Sequence, residues 1–242
     1  MNEVGLVTAN FGGVDELRAL PGREGIDAFC YTDQATRAQA DPVAVASWTK
    51  VLVPDYPRHD FGPRLRARYF KHQIHRLQEV REHRWLVWAD SSLQFHETGF
   101  ILDRVEELRR LPPSQRVLVI PHPDRHTVRE EYEYISEQMA EGNEYLRVRY
   151  QHEKMTEQME YFGEQGWDVE APLWCGTFWI VERNEMSRRI WDDWWDQNIR
   201  FGMMDQLSLP VLLDHHGCDP MPFNIPLRRN DHFTKTAHQR DM

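Results

Sequence analysis

Residues 84–95, Arg-Trp-Leu-Val-Trp-Ala-Asp-Ser-Ser-Leu-Gln-Phe, restrict the possible folds of this chain more than any other stretch. A short run of aromatic and branched apolar side chains reads as a buried central strand, and Arg84 before it and Asp90-Ser91-Ser92 after it mark its ends. An acid therefore stands where a strand stops. In open α/β sheets ligands bind in the crevice outside the carboxyl ends of the strands, which places Asp90 for chemistry, with an end-of-strand turn former as the alternative.

Further strand-like runs surround it: residues 4–9, 27–33 (ending in Asp33), 51–54, 116–120 and 173–181. Helical patterns separate several of them, at residues 14–20, 63–77, 101–111, 127–162, from Asn184 through Trp195, and 207–213. This alternation predicts an α/β fold, a Rossmann-like, mainly parallel central sheet flanked by helices. A chain of 242 residues can bury a core of that size in one domain, expected over residues 1–217, with residues 218–242 as an extended tail packing on or near the site.

The balance of charge removes some functions. A formal charge of −10 argues against holding nucleic acid by bulk electrostatics. Cys30, Cys175 and Cys218 are odd in number and far apart, so neither a disulfide framework nor a zinc ribbon is indicated. With no signal-like start and no apolar run of membrane-spanning length, the expectation is a cytoplasmic protein without a membrane segment.

Chemistry-bearing residues gather at the expected strand ends. Thr8, Asn10 and Phe11 precede Gly12-Gly13, a turn whose backbone could approach a nucleotide. On a helix over residues 63–77, Arg64, Arg68, Lys71 and His75 share one face, the one basic cluster in an acidic protein and a candidate clamp for phosphate or pyrophosphate. His122 and Arg125 lie in a proline-punctuated loop directly after a strand, the pattern of a rigid site-forming loop. Gly176, followed by Thr177, permits close approach of a ligand or a neighbouring backbone. Asp205 fits a helix N-cap. The tryptophans at 191, 194 and 195 fall at helical spacing and read as core.

Taken in order, Ala67-Arg68-Tyr69-Phe70-Lys71, residues 85–90, His122-Pro123-Asp124-Arg125 followed by Glu130-Glu131, Gly176-Thr177-Phe178, and Asp205-Gln206-Leu207-Ser208 resemble the glycosyltransferase-like domain of plant probable hexosyltransferases implicated in cell-wall mucilage. The resemblance runs from about residue 4 to residue 217. That family is similar to the GT-A glycosyltransferases, and the likeness implies transfer of a hexosyl group from a nucleotide-diphosphate sugar to a glycan, protein, small molecule or modified nucleic acid. It also implies roles for residues. Asp90 would hold a divalent cation, Mn²⁺ or Mg²⁺, against the donor diphosphate, although the usual Asp-x-Asp is incomplete because the second position is Ser92. His215 or His216, before Gly217, would complete the metal shell. Asp205 and Gln206 would open a helix beside donor sugar and acceptor, with Asp205 taking the acceptor proton or orienting sugar hydroxyls. Thr8, Asn10, Phe11, Asp33, Arg64, Arg68, Lys71, His122 and Arg125 would bind the donor, and Gly176 and Thr177 would meet sugar or acceptor.

Two rivals remain open. Asp214-His215-His216 resembles the signature of metal-dependent phosphoesterases, though the upstream paired aspartates of those enzymes are missing. A catalytically inactive sugar- or nucleotide-binding domain is the other.

Overall fold

The computed structural model describes residues 2–56 and 61–236. Its spine is a seven-stranded sheet. In chain order the elements are β1 (Val4–Asn10), β2 (Ile26–Thr32), α1 (Gln34–Gln39), α2 (Pro42–Ser47), β3 (Lys50–Leu52), α3 (Pro63–His72), β4 (Trp85–Ala89) and β5 (Leu93–Phe95). They continue with α4 (Gly99–Arg109), β6 (Val117–Pro121), α5 (Val128–Ala140), α6 (Glu144–Tyr150), α7 (Met155–Gln165) and β7 (Trp174–Glu182). The last are α8 (Glu185–Arg200), α9 (Asp205–His215), β8 (Met221–Pro222) and β9 (Phe233–Lys235).

The strand order is β3-β2-β1-β4-β7-β6-β8. All neighbours are parallel except the two pairs that β7 makes with β4 and β6, so one reversed strand interrupts a parallel sheet. β1, β4 and β7 are buried almost throughout, which is why their sequences are apolar without alternation. The expected mainly parallel α/β sheet flanked by helices is what the chain forms. Among the described residues no helix is long and apolar enough to cross a membrane.

Side chains from the two faces of the sheet feed separate cores. One face, with Trp85, Val87, Ile120 and Phe178, packs against α4 and against Phe223 and Phe233 of the last segment. The other, with Leu86, Trp88 and Trp179, packs against Phe70 of α3, Trp191 and Trp194 of α8 and Leu209 of α9. A smaller cluster joins α5 and α7 to α9 through Val128, Phe162 and Leu207.

Three expectations change. Residues 14–20 are not helical: Asn10 holds the Asp15 carbonyl, Ser47 Oγ receives the Leu20 amide, and Trp48 Nε1 donates to the Arg18 carbonyl, so tertiary partners take the bonds a helix would need. The stretch 127–162 forms α5, α6 and the start of α7, three helices where one or two were expected. The tail expected near the site over 218–242 carries strands within residues 218–236: β8 joins the sheet edge, β9 pairs with β5, Phe223 and Phe233 enter the core, and Thr236 reaches the Ser92 carbonyl beside Asp90. Residues 237–242 of the expected tail lie outside the described residues.

Candidate functional site

From β1 the chain builds outward to β2 and β3, then returns to place β4 on the other side of β1. That reversal is a topological switch point, where the connections leaving two adjacent parallel strands diverge and open a crevice at their carboxyl ends. A cleft with an empty volume of ≈ 640 Å³, open mouth included, lies there. Ala9, Asn10 and Phe11 line it from the end of β1, Asp90 and Ser91 from the end of β4, and Arg64, Arg68 and Lys71 from α3. Asp15 and Arg149 complete its polar lining, which sets four cationic side chains against two carboxylates in a chain of net charge −10. Such a local excess draws anions and leaves the rest of the surface acidic.

The turn after β1 is tight. Gly12 and Gly13 both have positive φ, 74° and 63°, and a side chain at Gly12 would meet the Pro63 ring. Asp33 fixes this turn: its Oδ2 accepts the Gly12 amide at 2.5 Å while Oδ1 caps α1 at Thr36. Burial opposes ionisation of Asp33, but these amides and Arg66 outweigh it and lower the carboxyl. Its carboxylate thus supports the loop after β1. Arg66 lies over the Phe11 ring, and Phe11 stacks on Phe70. Thr8 is buried below this level with its hydroxyl unpartnered.

Lys71 stands at the centre. Its side chain is 1% exposed, and Nζ donates to Asp205 Oδ2 at 2.7 Å and to Asp90 Oδ1 at 3.3 Å. Trp88 Nε1 donates to the same Asp90 oxygen at 2.7 Å. Asp205 is buried and also receives Arg68 and His72 Nε2, the latter at 3.2 Å. Burial alone would raise this carboxyl; Arg68, Lys71 and His72 reverse the effect and hold it well below the usual carboxylate range. His72, stacked on Trp194 at 4.0 Å, is pulled down to about 4 by burial, against the pull of Asp205, and is neutral at pH 7. Asp205 therefore anchors two cations from behind, and it does not line the cleft.

A local irregularity makes room for that anchor. Val119 pairs with Trp179 whereas Ile120 pairs with Cys175, so residues 176–178 of β7 bulge away from β6. A Cβ on Gly176 would lie 2.9 Å from Asp205 Oδ2. The close approach expected at Gly176 is thus met by a carboxylate. The Thr177 carbonyl accepts the Asp90 amide at 2.9 Å, extending the β4–β7 pairing to the start of the turn.

Other expected residues lie apart. Met204 is the N-cap of α9 and makes no side-chain cap, so the N-cap expected at Asp205 is not formed; Asp205 is the first helical residue and its carboxylate goes to the cations. Gln206 is half-buried and does not line the cleft. His75 leaves the basic face because α3 ends at His72; its Nε2 meets Asp192 at 2.9 Å. His122 and Arg125 bond each other, and Arg125 pairs with buried Glu131. Burial and Arg125 lower His122 to about 4.

His215 ends α9 and His216 caps it, ten and eleven residues from Asp205 and about 15 Å along the helix. His215 stacks on Trp167, and His216 Nε2 meets Asp193 at 2.7 Å. The expected convergence of these histidines on Asp90 does not occur. Ser92 is buried outside the cleft lining, and Ser91 takes the cleft position, donating to Asp15 Oδ2 at 2.5 Å. Ser92 and His215 or His216, the residues expected to complete a metal shell with Asp90, are therefore not beside it. Among the described residues no group of three His, Cys, Asp or Glu side chains could hold a metal ion, and the inner oxygen of Asp90 already accepts from Lys71 and Trp88.

Asp15, Ser91 and Arg149 were missed from sequence. Arg149 sits in a charged helical stretch without a distinguishing spacing, and only the long reach of Arg64 ties it to α3: Arg64 donates to the Arg149 carbonyl at 3.0 Å and lies over the Tyr150 ring.

No family model matches the chain, and no curated protein matches it. Among solved structures it is similar to mouse xyloside xylosyltransferase 1 in its apo form, with 10% identity, a TM-score of 0.47, and coverage of 92% of this chain and 84% of that one. At that score the reading of function rests on the cleft.

Proposed function

We propose that the chain is a glycosyltransferase of GT-A type that moves a hexosyl group from a nucleotide-diphosphate sugar to an acceptor hydroxyl. The observation that carries this reading is the switch-point cleft in which Arg64, Arg68, Lys71 and Arg149 face Asp90 and Asp15. The ordered motifs that resemble the mucilage-related hexosyltransferases add to it.

In glycosyl transfer the bond from the sugar C1 to a phosphate oxygen breaks, the acceptor oxygen bonds to C1, and the acceptor proton departs. Negative charge grows on the diphosphate as an oxocarbenium-like sugar develops, and preorganised cations stabilise that charge without reorganising. Arg68 and Lys71 are preorganised by Asp205. The apolar wall of Phe11, Val14 and Ala67 suits the nucleoside, while Asp90, Asp15 and Ser91 can meet sugar hydroxyls or the acceptor. Asp205, expected as catalytic from sequence, acts here as a positioning residue: a buried carboxylate with three cationic or N–H donors is a poor base. Gly176 gives it space.

The test is incubation with a panel of nucleotide sugars and detection of free nucleoside diphosphate, with binding measured beside it. Arg68→Ala should weaken a nucleoside diphosphate by about 10- to 100-fold, the loss of a charge-assisted hydrogen bond, and leave the nucleoside alone nearly unaffected. Equal losses for both would make Arg68 a packing residue. Binding without turnover would favour the inactive sugar- or nucleotide-binding domain.

A further inference from the structure

We infer that the Lys71 ammonium takes the place of a divalent cation, so that this chain binds the diphosphate of its donor without metal. The inference rests on the glycosyl-transfer reading and departs from what the family resemblance implies. Its basis is the occupied inner face of Asp90.

A metal bridging Asp90 to a diphosphate needs a free carboxylate oxygen and further hard ligands. Asp90 Oδ1 is held by Trp88 Nε1 at 2.7 Å and by Lys71 Nζ at 3.3 Å, so a metal would be left with Oδ2, beside that ammonium. Residue 92, the second position of the expected pair, is a buried serine outside the cleft lining, and both candidate histidines are engaged at the other end of α9. A divalent ion on Asp90 would also stand against a buried ammonium, a like-charge contact of high cost at low dielectric.

Lys71 cannot easily yield. Its other carboxylate partner, Asp205, is itself held by Arg68 and His72 and fits beneath Gly176. An ammonium has three donors. Two serve Asp205 and Asp90, which leaves one for a leaving-group oxygen, and Lys71 lines the cleft where that oxygen would lie. Arg68 and Arg64 on the same helix face supply further donors, with Arg64 steadied by Glu153 at 3.3 Å. One helix thus carries positive charge that the carboxylates hold fixed.

The experiment is isothermal titration of the full chain with uridine and guanosine diphosphates, in chelator and again with Mn²⁺, together with direct titration of Mn²⁺ followed by its paramagnetic resonance. Whichever nucleotide binds should do so with affinities within about threefold in the two media, and Mn²⁺ should not bind the protein stoichiometrically. Lys71→Met should lose about 10- to 100-fold in either medium. Should that variant fail to fold, the native chain decides alone, because its affinities in chelator and in Mn²⁺ need no substitution. Binding that collapses in chelator, or stoichiometric Mn²⁺ binding lost in Asp90→Asn, overturns the inference and leaves glycosyl transfer standing. Binding of neither nucleotide in either medium overturns both.

Discussion

Asp205 shows how a single carboxylate can organise a site it does not enter. Removing its charge leaves Arg68 and Lys71 without their counter-ion in a buried setting, and breaking one partner of a buried pair costs about 3–5 kcal/mol. Asp205→Asn should therefore lower stability as well as nucleotide affinity, read by denaturant unfolding and by titration. Gly176→Ala separates these effects: the added methyl pushes the Asp205 carboxylate away from its cations, so affinity should fall about tenfold, roughly 1.4 kcal/mol, with a smaller loss of stability. His72 contributes a pH signature. Its folded-state value is about 4 against an ordinary 6.5, so as pH falls below 6.5 the unfolded chain takes up a proton that the folded chain refuses. Its contribution is intact above that range and is lost progressively down to pH 4, up to about 3 kcal/mol. Unfolding curves between pH 7 and pH 4.5 should be steeper in pH for the native chain than for His72→Gln; equal slopes would mean that His72 is not held neutral.

At the level of elements, the buried strands and the basic face of α3 were legible because both are local patterns: unbroken apolar runs, and cations three and four residues apart. What escaped depends on partners distant in sequence. Residues 14–20 look helical until Ser47 and Trp48 claim their backbone, and Arg149 has no meaning until α6 meets Arg64. The histidines at 215 and 216 follow a family pattern in sequence, yet α9 carries them to the opposite end from Asp205. Direction was also invisible, since an apolar run does not say whether β7 runs with or against its neighbours. The last strand gives the sharpest element-scale expectation. Phe233 on β9 is fully buried against Phe95 and Phe178, so Phe233→Ala should cost about 3–5 kcal/mol, measured as a drop in the denaturant midpoint at unchanged slope.

For the whole molecule, charge is segregated: a net charge of −10 surrounds a cleft lined by four cations. A small anion can enter, whereas an extended polyanion must lie along an acidic exterior. Duplex DNA should not shift in a gel at about 0.15 M salt, and nucleoside diphosphate affinity should fall less than about tenfold between 50 and 200 mM salt, because partly buried charges are weakly screened. A steep salt slope would place the binding cations on the exterior.

The β5–β9 ribbon joins residues 93–95 to residues 233–235, and Thr236 donates to the Ser92 carbonyl beside the Asp90 turn. A chain emerging from the ribosome can form its early strands and α3 while this turn still lacks its brace. Synthesis must carry residue 236 clear of the exit tunnel before the cleft beside Asp90 acquires its final shape.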